Sequence, residues 1–370
     1  MVPVARRLLF RNRGGFIVTV AGVAATVSLL LFLFAVHAGV KDGATRYVRT
    51  AGVDIWIAQK GSDNIIKSSS FLPAALADDV AKIEGVTHAS PLVRIISKAD
   101  VRGHLSSTLF LFGFDPGTRL GAPATVSAGT AELQPREIVL DESFARKYEL
   151  GIGDTLTIQR RAFRVAGLSR GTNALLSQFG FVRFDDGEDI LGIDGIDGIA
   201  SFVLVRTRGD RAAVARRIRA ALPDVAVHEA DDFIRYHEEE LDSGVLPVFA
   251  AAAIFGAAVG GLIIALMLYS SALERREDYA TLKALGAGQR YLLRLVIAQA
   301  LLVTIGGCIA AVLFTAMLTP LLLRAIPTLV LSYSPTLLLV FPAALAIGAL
   351  SAAAPLRVLR RIYPGEVFRA

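Results

Sequence analysis

The sequence predicts an α-helical membrane protein with four transmembrane helices in a 1+3 order and a large α+β extracytoplasmic domain between the first and second. Three observations predict it. Four long stretches carry no charge. One segment of mixed strand and helix patterns separates the first stretch from the second. Positive charge gathers beside the apolar stretches and not across the whole chain: residues 39–243 hold 25 Lys/Arg against 29 Asp/Glu, and the remainder holds 14 against 4. The overall charge of +6 therefore points to headgroups and topology signals, and nucleic acid is not an expected partner.

Hydrocarbon about 30 Å thick needs about 20 helical residues to cross it. There are 27 uncharged residues between Arg13 and Lys41, 31 between Asp242 and Glu274, 29 between Arg294 and Arg324, and 32 between Arg324 and Arg357. Backbone polar groups in lipid must bond internally, so each stretch is a helix. The resulting plan is a cytoplasmic segment 1–13, first span 14–40, extracytoplasmic domain 41–242, second span 243–273, cytoplasmic loop 274–294, third span 295–323, short outer loop 324–333, fourth span 334–356 and cytoplasmic tail 357–370. The first run is too long for the h-region of a signal peptide, although Val36-His37-Ala38 loosely fits a cleavage site.

Lys and Arg in the short flanks set the orientation. Arg6, Arg7, Arg11 and Arg13 precede the first span. Arg275, Arg276, Lys283, Arg290 and Arg294 follow the second. Arg357, Arg360, Arg361 and Arg369 end the chain. The loop between the third and fourth spans carries only Arg324. Both termini and the loop 274–294 are expected to be cytoplasmic.

Within 41–242 the pattern alternates between strands and helices. Val53–Ala58 reads as a strand and Leu72–Glu84 as an amphipathic helix, followed by a strand toward Ile96. Leu105–Phe114, Thr155–Ile158, Phe163–Leu168, Phe179–Phe184 and Phe202–Arg206 read as further strands. Asp141 is the expected N-cap of a short helix reaching Leu150. Val80–Leu92 and Arg217–Ala230 each run helix, break, strand, which suits two similar βαβ halves on one sheet. Phe233, Tyr236, His237 and Leu241 have helical spacing, so Glu229–Asp242 is read as continuous with the second span, the stalk of one long helix. Glu238-Glu239-Glu240 is read as its solvated face. Asp194 and Asp197 fall in a glycine-rich turn, read as solvated.

No constellation for catalysis stands out. The chain has no GxSxG elbow, no HExxH and no Walker A loop. The single cysteine, Cys308, excludes an intramolecular disulfide and a cysteine-built metal site. The charge-free spans hold no intramembrane acid or base of the kind that marks a membrane enzyme or proton path. Gly256, Gly260, Gly306 and Gly307 are candidates for close helix packing, with Gly256-x-x-x-Gly260 a small-residue face.

The most informative segment is Leu273–Arg294, LERREDYATLKALGAGQRYLLR. Glu274–Leu285 can form a short helix, Gly286-Ala287-Gly288 ends it, and Tyr279, Leu282 and Leu285 recur three apart as one apolar stripe. Such a helix either lies among headgroups or presses its stripe into a groove on a partner. Its mixed charge favours a protein partner.

This string resembles the ER-x-x-[DE]-x-[AG]-x-[LI]-[KR]-A-[LI]-G-A signature of MacB/FtsX/LolC-like permeases, the type VII ABC transporter superfamily. Glu274, Arg275, Asp278, Ala280, Lys283, Ala284, Leu285, Gly286 and Ala287 carry the match. Gly306-Gly307, the lead-in Ala5–Arg13, the turn and strand Leu150–Ile158 and the 1+3 span order are similar too, and Gly52–Gly61 (GVDIWIAQKG) resembles the DevC-like branch. Asp278 stands where glutamate is commoner, and Gln299 lies near where many members carry a glutamate.

The resemblance implies a permease of the mechanotransmission type in the inner membrane. Glu274, Arg275, Asp278, Tyr279, Leu282, Lys283, Leu285 and Gly286 would couple to a separate ABC ATPase present in two copies. The chain would pair with a second copy or a related permease, contact membrane lipids and, in an export system, a periplasmic adaptor. ATP and Mg would be bound by the partner ATPase, leaving this chain with no cofactor, metal or catalytic residue of its own. The work implied is extracytoplasmic movement of a lipid, lipoprotein, peptide or hydrophobic compound. The alternative is an FtsX-like regulator that transmits ATPase motion to a cell-wall hydrolase.

Overall fold

The structure, a computed structural model, describes residues 13–65, 70–174, 177–192, 198–244, 246–274 and 276–351. The lead-in arginines before Arg13, Asp194, Asp197, Arg275 and the tail arginines lie outside the described residues. The chain divides into a helical unit (1–38, 246–324 and 332–370) and a sheet unit (39–245 and 325–331).

The sheet unit takes in the end of α1 (Arg13–Thr50), which runs on beyond Lys41. Ala44, Tyr47, Val48 and Ala51 recur at helical spacing and are buried, so packing carries this helix past the end of the apolar span. Then follow β1 (Ile55–Gln59), β2 (Leu72–Pro73), α2 (Leu76–Ala81), β3 (Val86–Val101), β4 (His104–Phe114), β5 (Val126–Gly129), β6 (Glu137–Asp141), α3 (Glu142–Lys147), β7 (Thr155–Ile158), β8 (Arg161–Ser169), β9 (Asn173–Ala174), β10 (Ser177–Arg183), α4 (Phe184–Leu191), β11 (Ile199–Ala200), β12 (Phe202–Thr207), α5 (Arg211–Ala221), β13 (Val225–Glu229) and α6 (Ala230–Ser243).

Two substructures share β3. In the first, the strands lie in the order β13-β1-β12-β3 with every neighbour antiparallel. β1-α2-β3 and β12-α5-β13 are therefore split βαβ units, each with a strand of the other between its own pair. The sequence echo is thus two interleaved halves. α2 and α5 bury Ala77, Val80, Val214, Ala215 and Ile218 against Ile55, Ile57, Val203 and Val205. In the second, the ladder runs β3-β4-β10-β6-β8 and returns through β7, which pairs both β8 and β3. That closes a six-stranded barrel and leaves no free edge along the circuit. Its inward side chains include Val93, Leu111, Ile138, Leu156, Phe163 and Val182, all fully buried or nearly so.

Two expectations fail locally. The amphipathic helix expected over Leu72–Glu84 is confined to α2, because Leu72–Pro73 is drawn into a strand pair with Ile199–Ala200. The stalk expected to continue unbroken into the second span ends at Ser243. Gly244 leaves helical geometry at φ −104°, ψ −87°, its N–H donates to the carbonyls of Glu240 and Leu241, and Pro247 falls in the first turn of the next helix. The N-cap is where the sequence predicts it: the Asp141 carboxylate accepts from the Ser143 N–H at 2.9 Å.

The helical unit contains α1 up to Ala38, α7 (Leu246–Glu274), α8 (Arg276–Ala284), α9 (Gln289–Ala325), a 3-10 turn at Pro335–Leu339 and α10 (Val340–Ser351). Three helices among the described residues are long and apolar enough to cross a membrane: Gly14–Thr50, Leu246–Met267 and Gln289–Ala325. Leu337–Ser351 is a shorter apolar helix. The unit's core is built largely from small and β-branched residues, among them Val23, Ala24, Val27, Ala300, Val303 and Ala311.

Candidate functional site

The segment 274–294 is held by a closing motif at the end of α8. Gly286 has φ +88°, the Gly286 N–H donates to the Lys283 carbonyl at 3.1 Å, and the Ala287 N–H donates to the Leu282 carbonyl at 3.0 Å. This is the Schellman arrangement, and it explains the Gly-Ala pair after the helix. Leu282 and Ala287, the residues such a motif brings into apolar contact, both pack against the helical unit's core. Ala280 is buried in that core.

The apolar stripe is consequently split. Leu282 turns inward and is half-buried, whereas Leu285 is 80% exposed. A helix anchored through Ala280 and Leu282 cannot offer Leu282 wholly to a partner. What it presents is Glu277, Thr281, Ala284, Leu285 and Gly286. Asp278 and Lys283 are half-buried, Glu274 closes α7 and is exposed, and Tyr279 lies in the middle turn of α8. Leu285 is thus the large apolar side chain left standing out at the C-terminal end of α8.

The glycines divide into two kinds. A Cβ on Gly260 would overlap Thr26, and one on Gly307 would overlap Val23, so α7 and α9 approach α1 at these two points more closely than a side chain permits. At Gly256 and Gly306 the nearest side-chain atoms would lie at 3.6 and 3.7 Å, ordinary contact. Hydroxyls complete the seam: the Ser28 Oγ donates to the Ala311 carbonyl at 3.3 Å, and the Ser351 Oγ donates to the Gly261 carbonyl at 3.2 Å.

In the sheet unit, the end of α1 is locked by an aromatic hub that sequence reasoning missed. Tyr47 stacks on Phe112 at 4.7 Å and meets Phe179 and Phe181 at 5.7 Å. Its hydroxyl donates to the Gly121 carbonyl at 2.8 Å, and burial pushes its pKa well above that of an ordinary tyrosine. Trp56 stacks on Phe233 of α6 at 5.0 Å. Glu238 of α6 joins Arg49 at 2.8 Å and Lys41 at 3.2 Å, and Asp242 lies 3.9 Å from Lys41. The acidic run is therefore divided: Glu238 clamps α6 to α1, while Glu239 pairs with Arg235. The 3–4 spacing of Ala44, Tyr47, Val48 and Ala51 was the available signal, hidden because a search for spans stops at Lys41.

His237 is buried beside this hub. Its Nε2 accepts from the Ile65 N–H at 2.9 Å, so its Nδ1–H donates to the Phe233 carbonyl at 2.7 Å. Desolvation lowers its pKa to about 4, the backbone bond to Phe233 opposes the shift, and nearby His228 adds to it. No three His, Cys, Asp or Glu side chains gather as metal ligands among the described residues.

Residues 16–221 match the MacB-like periplasmic core domain, and residues 250–364 match the FtsX-like permease C-terminal domain. The chain belongs to the FtsX/MacB family of ABC transporter permeases. Among relatives of this permease, the uncharacterized ABC transporter permease Rv0072 of Mycobacterium tuberculosis H37Rv is 25% identical over 367 residues, covering 98% of this chain and 97% of that one. Rv2563 of the same strain, also an uncharacterized ABC transporter permease, is 26% identical over 310 residues, 82% of each. The periplasmic region of MacB from Actinobacillus actinomycetemcomitans aligns with 52% of this chain and 95% of its own, at 15% identity and a TM-score of 0.39. As an ABC transporter permease, the chain implies an ATPase subunit as partner.

Proposed function

We propose that this permease works by mechanotransmission: a separate ATPase, in two copies, seats α8 and moves the spans, and the motion reshapes the sheet unit to displace a lipid, lipoprotein, peptide or hydrophobic compound outside the membrane. The chain spans an inner membrane four times in a 1+3 order, with 274–294 and both termini cytoplasmic, and pairs with a second copy or a related permease. α1 is the transmitting element, because one unbroken helix runs from the membrane-spanning residues to Tyr47 in the aromatic hub. ATP and Mg are bound by the partner, and hydrolysis belongs to it. The match of residues 16–221 to the MacB-like core favours export, with an adaptor where the system has one, over control of a hydrolase.

The observation that carries this reading is Leu285, 80% exposed at the end of a helix that Ala280 and Leu282 anchor to the helical unit's core. Leu285→Asp should abolish copurification of the ATPase while the chain still inserts, and Leu285→Met should retain it. An undiminished ATPase yield with Leu285→Asp would falsify the assignment.

A further inference from the structure

The helical unit contains a groove of about 680 Å³ near the C-terminal end of α9. That volume falls within the range of about 300–1,000 Å³ typical of ligand sites. Its walls are apolar: Leu31 of α1, Val312, Ala316 and Leu323 of α9, and Leu337 and Phe341 beyond the loop. Three features give it a polar end. Thr319 and Tyr333 share a hydrogen bond of 2.6 Å between their hydroxyls. Pro320, also in the wall, has no N–H to give to the carbonyl of Ala316. The Thr315 Oγ1 is buried without a hydrogen-bond partner, since the Ala311 carbonyl one turn earlier accepts from Ser28.

Arg324 supplies the charge. It stands four residues after Pro320, one turn on along the same face of α9, and it is exposed. Between Arg294 and Arg357 it is the sole charged side chain. α9 starts at Gln289, beside α8, so the groove opens roughly 45 Å away, at the opposite end of the helix. An apolar trough closed by hydroxyls, with an exposed cation one helical turn beyond its Pro320 wall, complements an acyl chain, its ester oxygens and an anionic phosphate.

We propose that this groove binds one acyl chain of an anionic phospholipid from the bilayer leaflet opposite α8, with the headgroup phosphate paired to Arg324. Tyr333 and Thr319 lie at ester level, where amphipathic aromatics settle in membranes. The occupant is a bilayer lipid, and the inference rests only on the helical unit lying in a membrane, independent of the ATPase contact.

The test uses the full chain in vesicles containing phosphatidylglycerol or phosphatidylcholine with a photoactivatable acyl chain, with the adducts mapped by mass spectrometry. Phosphatidylglycerol adducts should concentrate on Val312–Leu323 and Leu337–Phe341 above the level at Leu262 and Leu266, lipid-facing candidates at 71% and 66% exposure. Ala316→Trp, which fills the trough, should remove that excess. Arg324→Gln, an exposed change that leaves packing alone, should keep the adducts and erase a preference for phosphatidylglycerol of about fivefold. Even labelling of all exposed apolar segments, or an unchanged preference in Arg324→Gln, would each overturn the assignment.

Discussion

The two units bury apolar surface in opposite ways. In the sheet unit the largest side chains are inside: Trp56, Tyr47, Phe112, Phe181, Phe202 and Phe233 are at most 2% exposed. In the helical unit the interior is largely small and β-branched, and many large side chains stand outside, with Leu262 at 71%, Leu313 at 67% and Met317 at 72% exposure. Water drives large apolar groups inward. Lipid does not, so helices associate through close approach at small residues and through hydroxyl-to-carbonyl bonds. The lesson is that one residue type has opposite value in the two units, and substitutions should expose this.

The largest effect is expected in the aromatic hub. Phe233→Ala removes the ring stacked on Trp56 and should cost the sheet unit about 3–5 kcal/mol. Trp56 is the chain's only tryptophan, so its fluorescence reads the loss directly. Leu262→Ala in the helical unit should change stability by less than about 0.5 kcal/mol, as exposed substitutions do. Equal costs at the two sites would break the comparison.

Acid should separate the units next. His237 is held neutral in the fold with a pKa of about 4, against about 6.5 when unfolded. The unfolded chain then binds the extra proton between these values, so stability present above pH 6.5 is lost as pH falls toward 4, by roughly 3 kcal/mol. The buried polar groups Thr26, Ser28 and Thr304 of the helical unit do not titrate. Trp56 fluorescence should therefore report loosening of the sheet unit at pH 4.5, and His237→Gln should flatten that response.

The smallest effect tests the seam. Gly260→Leu must displace Thr26 and should cost about 1–3 kcal/mol, read as a lower midpoint in a detergent denaturation series. Gly256→Ala, with ordinary clearance, should stay within about 0.5 kcal/mol of the parent.

Much of this was legible in residue patterns. Charge-free runs mark helices because lipid tolerates nothing else, and Asp141 announces a cap because its short carboxylate reaches a free backbone N–H. The echo between Val80–Leu92 and Arg217–Ala230 revealed two halves but not their interleaving, since pairing partners lie far apart in sequence. The barrel was hidden for the same reason: β7 closes it with four residues paired to β8, of which Thr157 and Ile158 also pair with β3. At the candidate site, the short helix and its glycine stop followed from spacing. The inward turn of Leu282 did not, because a period of three cannot tell which side of a helix its own unit will cover.

The central claim is that Leu285 meets the ATPase. Cys308 is the sole cysteine, so Leu285→Cys in a Cys308→Ala chain gives a single reactive site. Crosslinked in native membranes with a short thiol-to-amine reagent, this variant should yield an adduct between the chain and an ATP-binding protein, and should stay unlabelled by an impermeant thiol reagent added to intact cells. Labelling from outside, with no such adduct, would contradict the account.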